Sequence, residues 1–167
     1  IKTNYVRPKG LSQDKSLVVD AILDGFKWLK RKKIFNPDYV LTLQPTSPHR
    51  KLHEIKGALE YVKKESISSL VSIIKMKEHP YECVEVVGES WDFLKKALDK
   101  SEGRQSYQNN FFFIDGTFYL TDANTITKEK SLVIEGVTKF YEIERIWPVD
   151  IDSEDDLFLA SCLLDKS

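Results

Sequence analysis

Two groups of residues in this 167-residue chain have types and spacing suited to chemistry. The first is Gln44-Pro45-Thr46-Ser47-Pro48, followed by His49 and Arg50. Proline fixes φ and removes a donor, so two prolines around an amide and two hydroxyls hold those polar groups in one arrangement. Arg50 adds a guanidinium, whose planar fork suits an anion. The second group is Val149-Asp150-Ile151-Asp152. Extended backbone alternates its side chains, so Asp150 and Asp152 share one side and Val149 and Ile151 the other. Two carboxylates so placed suit Mg2+, which takes a few carboxylate oxygens together with waters and phosphate oxygens. Each group also has an ordinary reading. Thr46 or Ser47 can cap the helix that follows, and Asp152 or Ser153 can cap the last helix, with Asp155 and Asp156 as favourable charge at its positive end.

These groups need elements to position them. Val18, Ile22, Phe26 and Leu29 recur at helical spacing, with Asp14 or Ser16 available as a cap and Lys30-Arg31-Lys32-Lys33 complementing the helix dipole at the far end. Asn36-Pro37-Asp38 is a turn into an apolar strand over 39–43, which ends at the proline loop. Leu52, Ile55, Leu59 and Val62 mark a second helix, and Leu70, Val71, Ile73 and Ile74 a second buried strand. Strand, helix and strand make a βαβ unit with parallel strands and a right-handed crossover. In open α/β sheets ligands sit beyond the carboxyl ends of the strands, which is where the proline loop falls.

The middle of the chain breaks this rhythm. Residues 78–109 read as an excursion from the main sheet, with a short alternation in Val84, Val86 and Val87, then an irregular segment bearing Trp91, Phe93 and Leu94. Exposed aromatics on such a flap pack against a partner subunit or fold back on their own core. Arg104-Gln105 begins a polar run that leads into Phe111-Phe112-Phe113-Ile114, then Asp115-Gly116-Thr117-Phe118-Tyr119-Leu120. Asp-Gly between apolar runs is the usual signal of a hairpin turn. Phe140 to Ile143 is another short apolar run, and Leu157, Ala160, Ser161 and Leu164 share one face of a final helix.

Composition narrows the classes. The length suits one domain, and a formal net charge of -1 gives no electrostatic footprint for nucleic acid or an acidic membrane surface. No apolar run approaches the roughly 20 residues that span a bilayer. The opening residues do not form a signal sequence, and Cys83 and Cys162 lack metal-ligand spacing, so a cytoplasmic protein is expected. The chain opens at Ile1 and its only methionine is Met76, so a segment upstream is expected too. The glycines are scattered and form no phosphate-cradling loop.

Taken together, Arg7-Pro8 with Leu11 and Asp14, Leu43-Gln44-Pro45-Thr46-Ser47-Pro48 with Arg50, His79-Pro80-Tyr81, Arg104-Gln105, Gly116 with Tyr119, and Val149-Asp150-Ile151-Asp152 resemble the acylneuraminate cytidylyltransferases, the CMP-sialic acid synthetases. The resemblance covers nearly the whole chain. It implies a single Rossmann-like α/β domain, a three-layer sandwich with a mostly parallel sheet, and a homodimer formed through the flap. It implies transfer of CMP from CTP to the anomeric hydroxyl of a nine-carbon α-keto acid sugar, releasing pyrophosphate. Shorter forms of these motifs occur in the CMP-Kdo synthetases, which are one alternative. A non-catalytic sugar- or CMP-binding dimerisation module is another.

By the same resemblance Gln44, Pro45, Thr46 and Ser47 bind the sugar, Arg50 helps to order them, and Asp14 and Ser16 lie near the nucleotide. Arg104 and Gln105 reach the sugar or its carboxylate, Asp115 and Gly116 line the sugar site, and Asp150 and Asp152 hold Mg2+. Two departures stand out. The family's Gly-Gly-Ser-Lys type phosphate loop has no counterpart within these 167 residues. Asp115-Gly116 stands where the family usually has Asn-Gly, which replaces an amide by a carboxylate and points to relatives of N-acetylneuraminate, such as legionaminic or pseudaminic acid, as the sugar.

Overall fold

A computed structural model of the protein describes residues 4–95, 110–144 and 149–164. The first helix, α1, spans Val18–Lys32 and ends at Lys33, which turns left-handed at φ 53°. The expected cap from Asp14 or Ser16 does not form. Leu17 is the N-cap and makes no side-chain bond, because the Ser16 hydroxyl is spent on Gly10 O and Gln13 N, closing the loop after a short 3-10 turn at Lys9–Leu11.

Strand β1 (Tyr39–Thr42), helix α2 (Leu52–Glu65) and strand β2 (Ser69–Lys75) follow as the periodicity predicts. Then come β3 (Val84–Val87), β4 (Ser90–Phe93), β5 (Phe112–Asp122), α3 (Ala123–Glu129), β6 (Lys139–Glu142) and α4 (Glu154–Leu164). The fold is α/β, but its sheet is mixed. The strand order is β1-β5-β2-β6, with β5 antiparallel to both β1 and β2, and β6 parallel to β2. This corrects the mostly parallel sheet. β1 and β2 do run in the same direction, yet β5 lies between them, so the βαβ unit is split and only one pairing is parallel. The insertion is a long-range event that local periodicity cannot register.

One face of the sheet is covered by α2. Ala58 and Val62 pack on Leu70, Ile74, Phe118, Leu120 and Ile143, with Tyr39, Leu41, Leu59 and Tyr141 at the margin. Burying each large side chain of this kind is worth about 1.5–3 kcal/mol. Asp122 ends β5 by capping α3, accepting from Asn124 N and Thr125 N.

Three other segments differ from what the periodicity predicts. The segment bearing Trp91 and Phe93 is β-structure, because Val84–Val87 and Ser90–Phe93 form a separate antiparallel hairpin around Gly88, whose φ is +63°. All residues of β3 and β4 are exposed. Asp115-Gly116 is no hairpin turn; it lies inside the continuous strand β5. The final helix buries Ala160, while Leu157, Ser161 and Leu164 of the expected apolar face are exposed.

Candidate functional site

The proline loop starts where β1 ends. Ser47 N donates to Gln44 O at 3.2 Å, closing a turn with Pro45 at its second position, where a preset φ is favoured. Neither Thr46 nor Ser47 caps the next helix. Lys51 is the N-cap of α2, and Glu54 Oε2 accepts its backbone N–H at 3.1 Å. The loop's polar groups are therefore available for other partners.

Those partners come from β5, through an irregularity in its pairing. Ser69, Leu70 and Val71 pair with Thr121, Leu120 and Tyr119, whereas Ile73, Ile74 and Lys75 pair with Ile114, Phe113 and Phe112. Between these two registers Ser72 alone faces residues 115–118, a wide bulge. Gly116 sits in it at φ +71°, a conformation that favours glycine. Its lack of a side chain matters for space as well. A Cβ there would lie 2.7 Å from Gln44 Oε1 and 2.9 Å from Ser47 Oγ.

Three further bonds tie the loop to the bulge and to the late Asp segment. Ser47 Oγ donates to Asp115 O at 3.4 Å, and Arg50 Nε to Thr117 O at 2.7 Å. Arg50 also donates from its second terminal nitrogen to Gln44 O. Ile151 N donates to Thr46 O at 2.8 Å, which seats residues 149–152 against the loop. The two groups that the sequence singled out, a hundred residues apart, thus meet at one end of the sheet. Arg50 donates to main-chain carbonyls on both sides of the junction, those of Gln44 and Thr117.

Asp115 is not a free acid at this junction. Its side chain is buried and accepts from Ser72 Oγ at 2.6 Å, from Thr117 N at 3.3 Å and from Thr117 Oγ1. The carboxylate points into the strand, and the main chain of the bulge faces the loop. The Asp115 side chain is thus engaged within the sheet, whereas the resemblance implies that Asp115 lines the sugar site.

Asp150 and Asp152 are both exposed, and Val149 is buried, as the alternation predicts. Ser153 is the cap of α4. Its hydroxyl accepts from Asp156 N while Asp156 Oδ2 accepts from Ser153 N at 2.9 Å, a reciprocal box that leaves the Asp152 side chain out of the capping. Hydrogen bonds from Ser153 and Asp152 lower the pKa of Asp156 below its ordinary value. No cluster of three or more acidic, His or Cys side chains able to hold a metal occurs among the described residues. A pair of exposed carboxylates does fit Mg2+, which keeps several waters and completes its shell with substrate phosphates.

Sequence reasoning missed two residues here, Ser72 and Thr117, and gave no role to a third, Tyr119, which it quoted only as part of a motif. Ser72 interrupts the apolar run Leu70-Val71-Ser72-Ile73-Ile74, a hydroxyl at a fully buried place and the one available signal. Thr117 had no signal. Tyr119 pairs with Thr42, on the face away from α2, and the Thr42 hydroxyl is buried without a hydrogen-bond partner among the described residues. Burial first, and then the charges of Asp115 and Asp150, push the Tyr119 phenol above its ordinary pKa, so it remains a donor.

The other expected residues lie apart. Asp14 and Ser16 are in the loop before α1, and no hydrogen bond or ion pair joins them to the proline loop among the described residues. Arg104 and Gln105 lie outside the described residues. A cleft of about 920 Å³ opens at the opposite end of β1, between α1, Asn36 to Asp38 and the start of α3. It is shared by Asp and Lys side chains of opposite sign and contains none of the residues of the junction. The chemistry points to the junction and not to this cleft.

No family model matches the chain. It is similar to an N-acylneuraminate cytidylyltransferase of Streptococcus agalactiae serotype V, with 30% identity over 151 residues that cover 90% of this chain and 35% of that protein. The relative from serotype III is 29% identical over the same share of each. A CMP-N,N'-diacetyllegionaminic acid synthase of Legionella pneumophila is 27% identical over 161 residues, 96% of this chain and 68% of that protein. The resemblance read from the motifs is borne out by these curated relatives. The chain spans about a third of the length of the streptococcal proteins.

Proposed function

We propose that the protein transfers CMP from CTP to the anomeric hydroxyl of a nine-carbon, sialic-acid-like keto acid sugar. The names of the relatives support a cytidylyltransferase, and both sugars in those names are of this class. The observation that carries the reading is the junction itself. An ordered amide and hydroxyl loop (residues 44–47) abuts an exposed carboxylate pair, Asp150 and Asp152, through the bond from Ile151 N to Thr46 O.

In this reading the loop binds the sugar. Gln44 and Thr46 offer an amide and a hydroxyl to its polar groups, and Tyr119 adds a phenolic donor that stays protonated. The sugar's anomeric oxygen attacks the α-phosphorus, the bond from that phosphorus to the bridging oxygen breaks, pyrophosphate leaves, and the hydroxyl proton passes to solvent. Asp150 and Asp152 would hold Mg2+, which neutralises charge on the departing pyrophosphate when bound. Arg104 and Gln105 are assigned to the sugar carboxylate by resemblance alone.

The same reading makes the protein a homodimer. The β3–β4 hairpin exposes Val86, Val87, Trp91 and Leu94 by more than 60% each, and an isolated two-stranded ribbon is marginal in water. A second copy of the chain covering that surface supplies what the hairpin lacks.

The test is pyrophosphate release from CTP and Mg2+ with N-acetylneuraminate, N,N'-diacetyllegionaminate or Kdo as acceptor. Turnover with a nine-carbon acid and little with Kdo supports the reading. Preference for Kdo moves the protein to the eight-carbon synthetases, and sugar binding with no pyrophosphate from any acceptor makes it a binding module. Asp152→Asn is expected to abolish the Mg2+-dependent turnover and keep the circular dichroism of the parent; unchanged turnover removes the metal assignment.

A further inference from the structure

We propose that Ser72 and Thr117, whose side chains make no hydrogen bond to Gln44 or Ser47 among the described residues, are positioning residues that hold the loop in its sugar-binding arrangement. The sugar is the carboxylated sugar of the reading above, and in that respect the proposal rests on it.

Four residues set against one is a costly interruption of a buried ladder, and it needs bonds of its own to persist. Ser72 supplies them. Its hydroxyl lies 2.6 Å from Asp115 Oδ1, accepts from Phe118 N at 3.1 Å and lies 3.2 Å from Phe118 O, so one buried oxygen fastens both ends of the bulge. Thr117 then fastens the middle, giving its N–H to Asp115 Oδ1 and its hydroxyl to Oδ2.

Among the described residues the Asp115 carboxylate is held by these donors, Ser72 Oγ, Thr117 N and Thr117 Oγ1, and by no ion pair. With the carboxylate fixed inward, the main-chain carbonyls of Asp115 and Thr117 face outward, where Ser47 Oγ and Arg50 Nε take them. Gly116, between these two carbonyls, is then pressed against Gln44. The chain of cause runs from two hidden hydroxyls to the position of one amide.

The experiment compares Thr117→Val, which removes the hydroxyl at nearly constant shape, with Thr117→Ser, which keeps it, and with Ser72→Ala. The full chain is used throughout. Two readouts are taken: the nuclear magnetic resonance position of the Gln44 side-chain amide, and calorimetric affinities for N-acetylneuraminate and for CTP with Mg2+. The expected result is that Thr117→Val and Ser72→Ala shift the Gln44 amide and weaken the sugar by about tenfold, with CTP affinity held, while Thr117→Ser resembles the parent. An unmoved Gln44 amide in Thr117→Val overturns the proposal, as does equal loss of both ligands, which marks a general structural role. If Ser72→Ala does not fold, the Thr117 pair decides. If the parent binds no sugar but the Gln44 amide still moves, the functional reading fails and the positioning stands.

Discussion

Gly116 and Gln44 compete for the same space: a Cβ on residue 116 would stand 2.7 Å from Gln44 Oε1, closer than real contacts allow. The backbone there is also left-handed, at φ +71°. Gly116→Ala therefore meets two penalties at once. The strained conformation alone costs roughly 1–2 kcal/mol, and the methyl must also push the Gln44 amide or the Ser47 hydroxyl aside. Denaturant unfolding should show the loss of stability. Sugar affinity should fall by more than the fraction of folded protein explains, and an unchanged affinity would mean that Gln44 is not a sugar ligand.

Tyr119 reports on Asp150 without any substrate. Burial and two carboxylates hold its phenol above the ordinary pKa, so folding disfavours its ionised form. The linked stability is fully present below the unfolded pKa of about 10 and is lost as pH rises through the folded value. The ultraviolet absorbance of phenolate, taken as the difference between the parent and Tyr119→Phe, isolates this group. Asp150→Asn should move its titration downward but only part of the way, since burial is the larger cause. No movement would place Asp150 away from the tyrosine.

The exposed hairpin is tested by charge. Trp91→Asp, with Trp91 62% exposed in the single chain, should leave unfolding of the monomer nearly unchanged and dissociate a dimer that meets through β3 and β4. Sedimentation across a concentration series reads the outcome. A variant that sediments as the parent does at every concentration excludes that surface as the interface.

At the start of α4 the cap is also checkable. Ser153→Ala removes the two bonds of the hydroxyl, from Asp156 N and to Asp156 Oδ2, and leaves the backbone N–H groups of residues 152 and 153 on that carboxylate, so the Asp156 pKa should return part of the way toward its ordinary value. Because that pKa is lowered in the folded chain, the stabilisation it reports is present above the unfolded pKa and is lost as pH falls through the folded one. Hydrogen exchange of the first turn of α4 should quicken in the variant at neutral pH and by less in acid, where the hydroxyl's bond from Asp156 N is the only half that Asp156 protonation leaves in the parent. Equal exchange at both would show that the cap contributes nothing.

Much of this protein is legible in one dimension. The period of apolar residues places α1, β1, α2 and β2 to within a residue or two, because the faces of those elements are set by their own spacing. The residue types at 44–47 and at Asp150 and Asp152 mark the two halves of the site, because amide, hydroxyl and carboxylate chemistry belongs to side chains wherever they end up. The alternation that exposes Asp150 and Asp152 was legible for the same reason.

Tertiary structure alone decided what Asp115-Gly116 is. Locally the pair is a turn signal, but β2 pairs with the chain on both sides of it and β1 with residues 119–122 after it, so β5 runs on and the pair becomes a bulge. The partner of that bulge is Ser72, 43 residues away along the chain, and no periodicity connects the two. The mixed order of the sheet has the same origin. Strand insertion is chosen by which distant segments bury each other best, a competition over the whole chain that no local window contains.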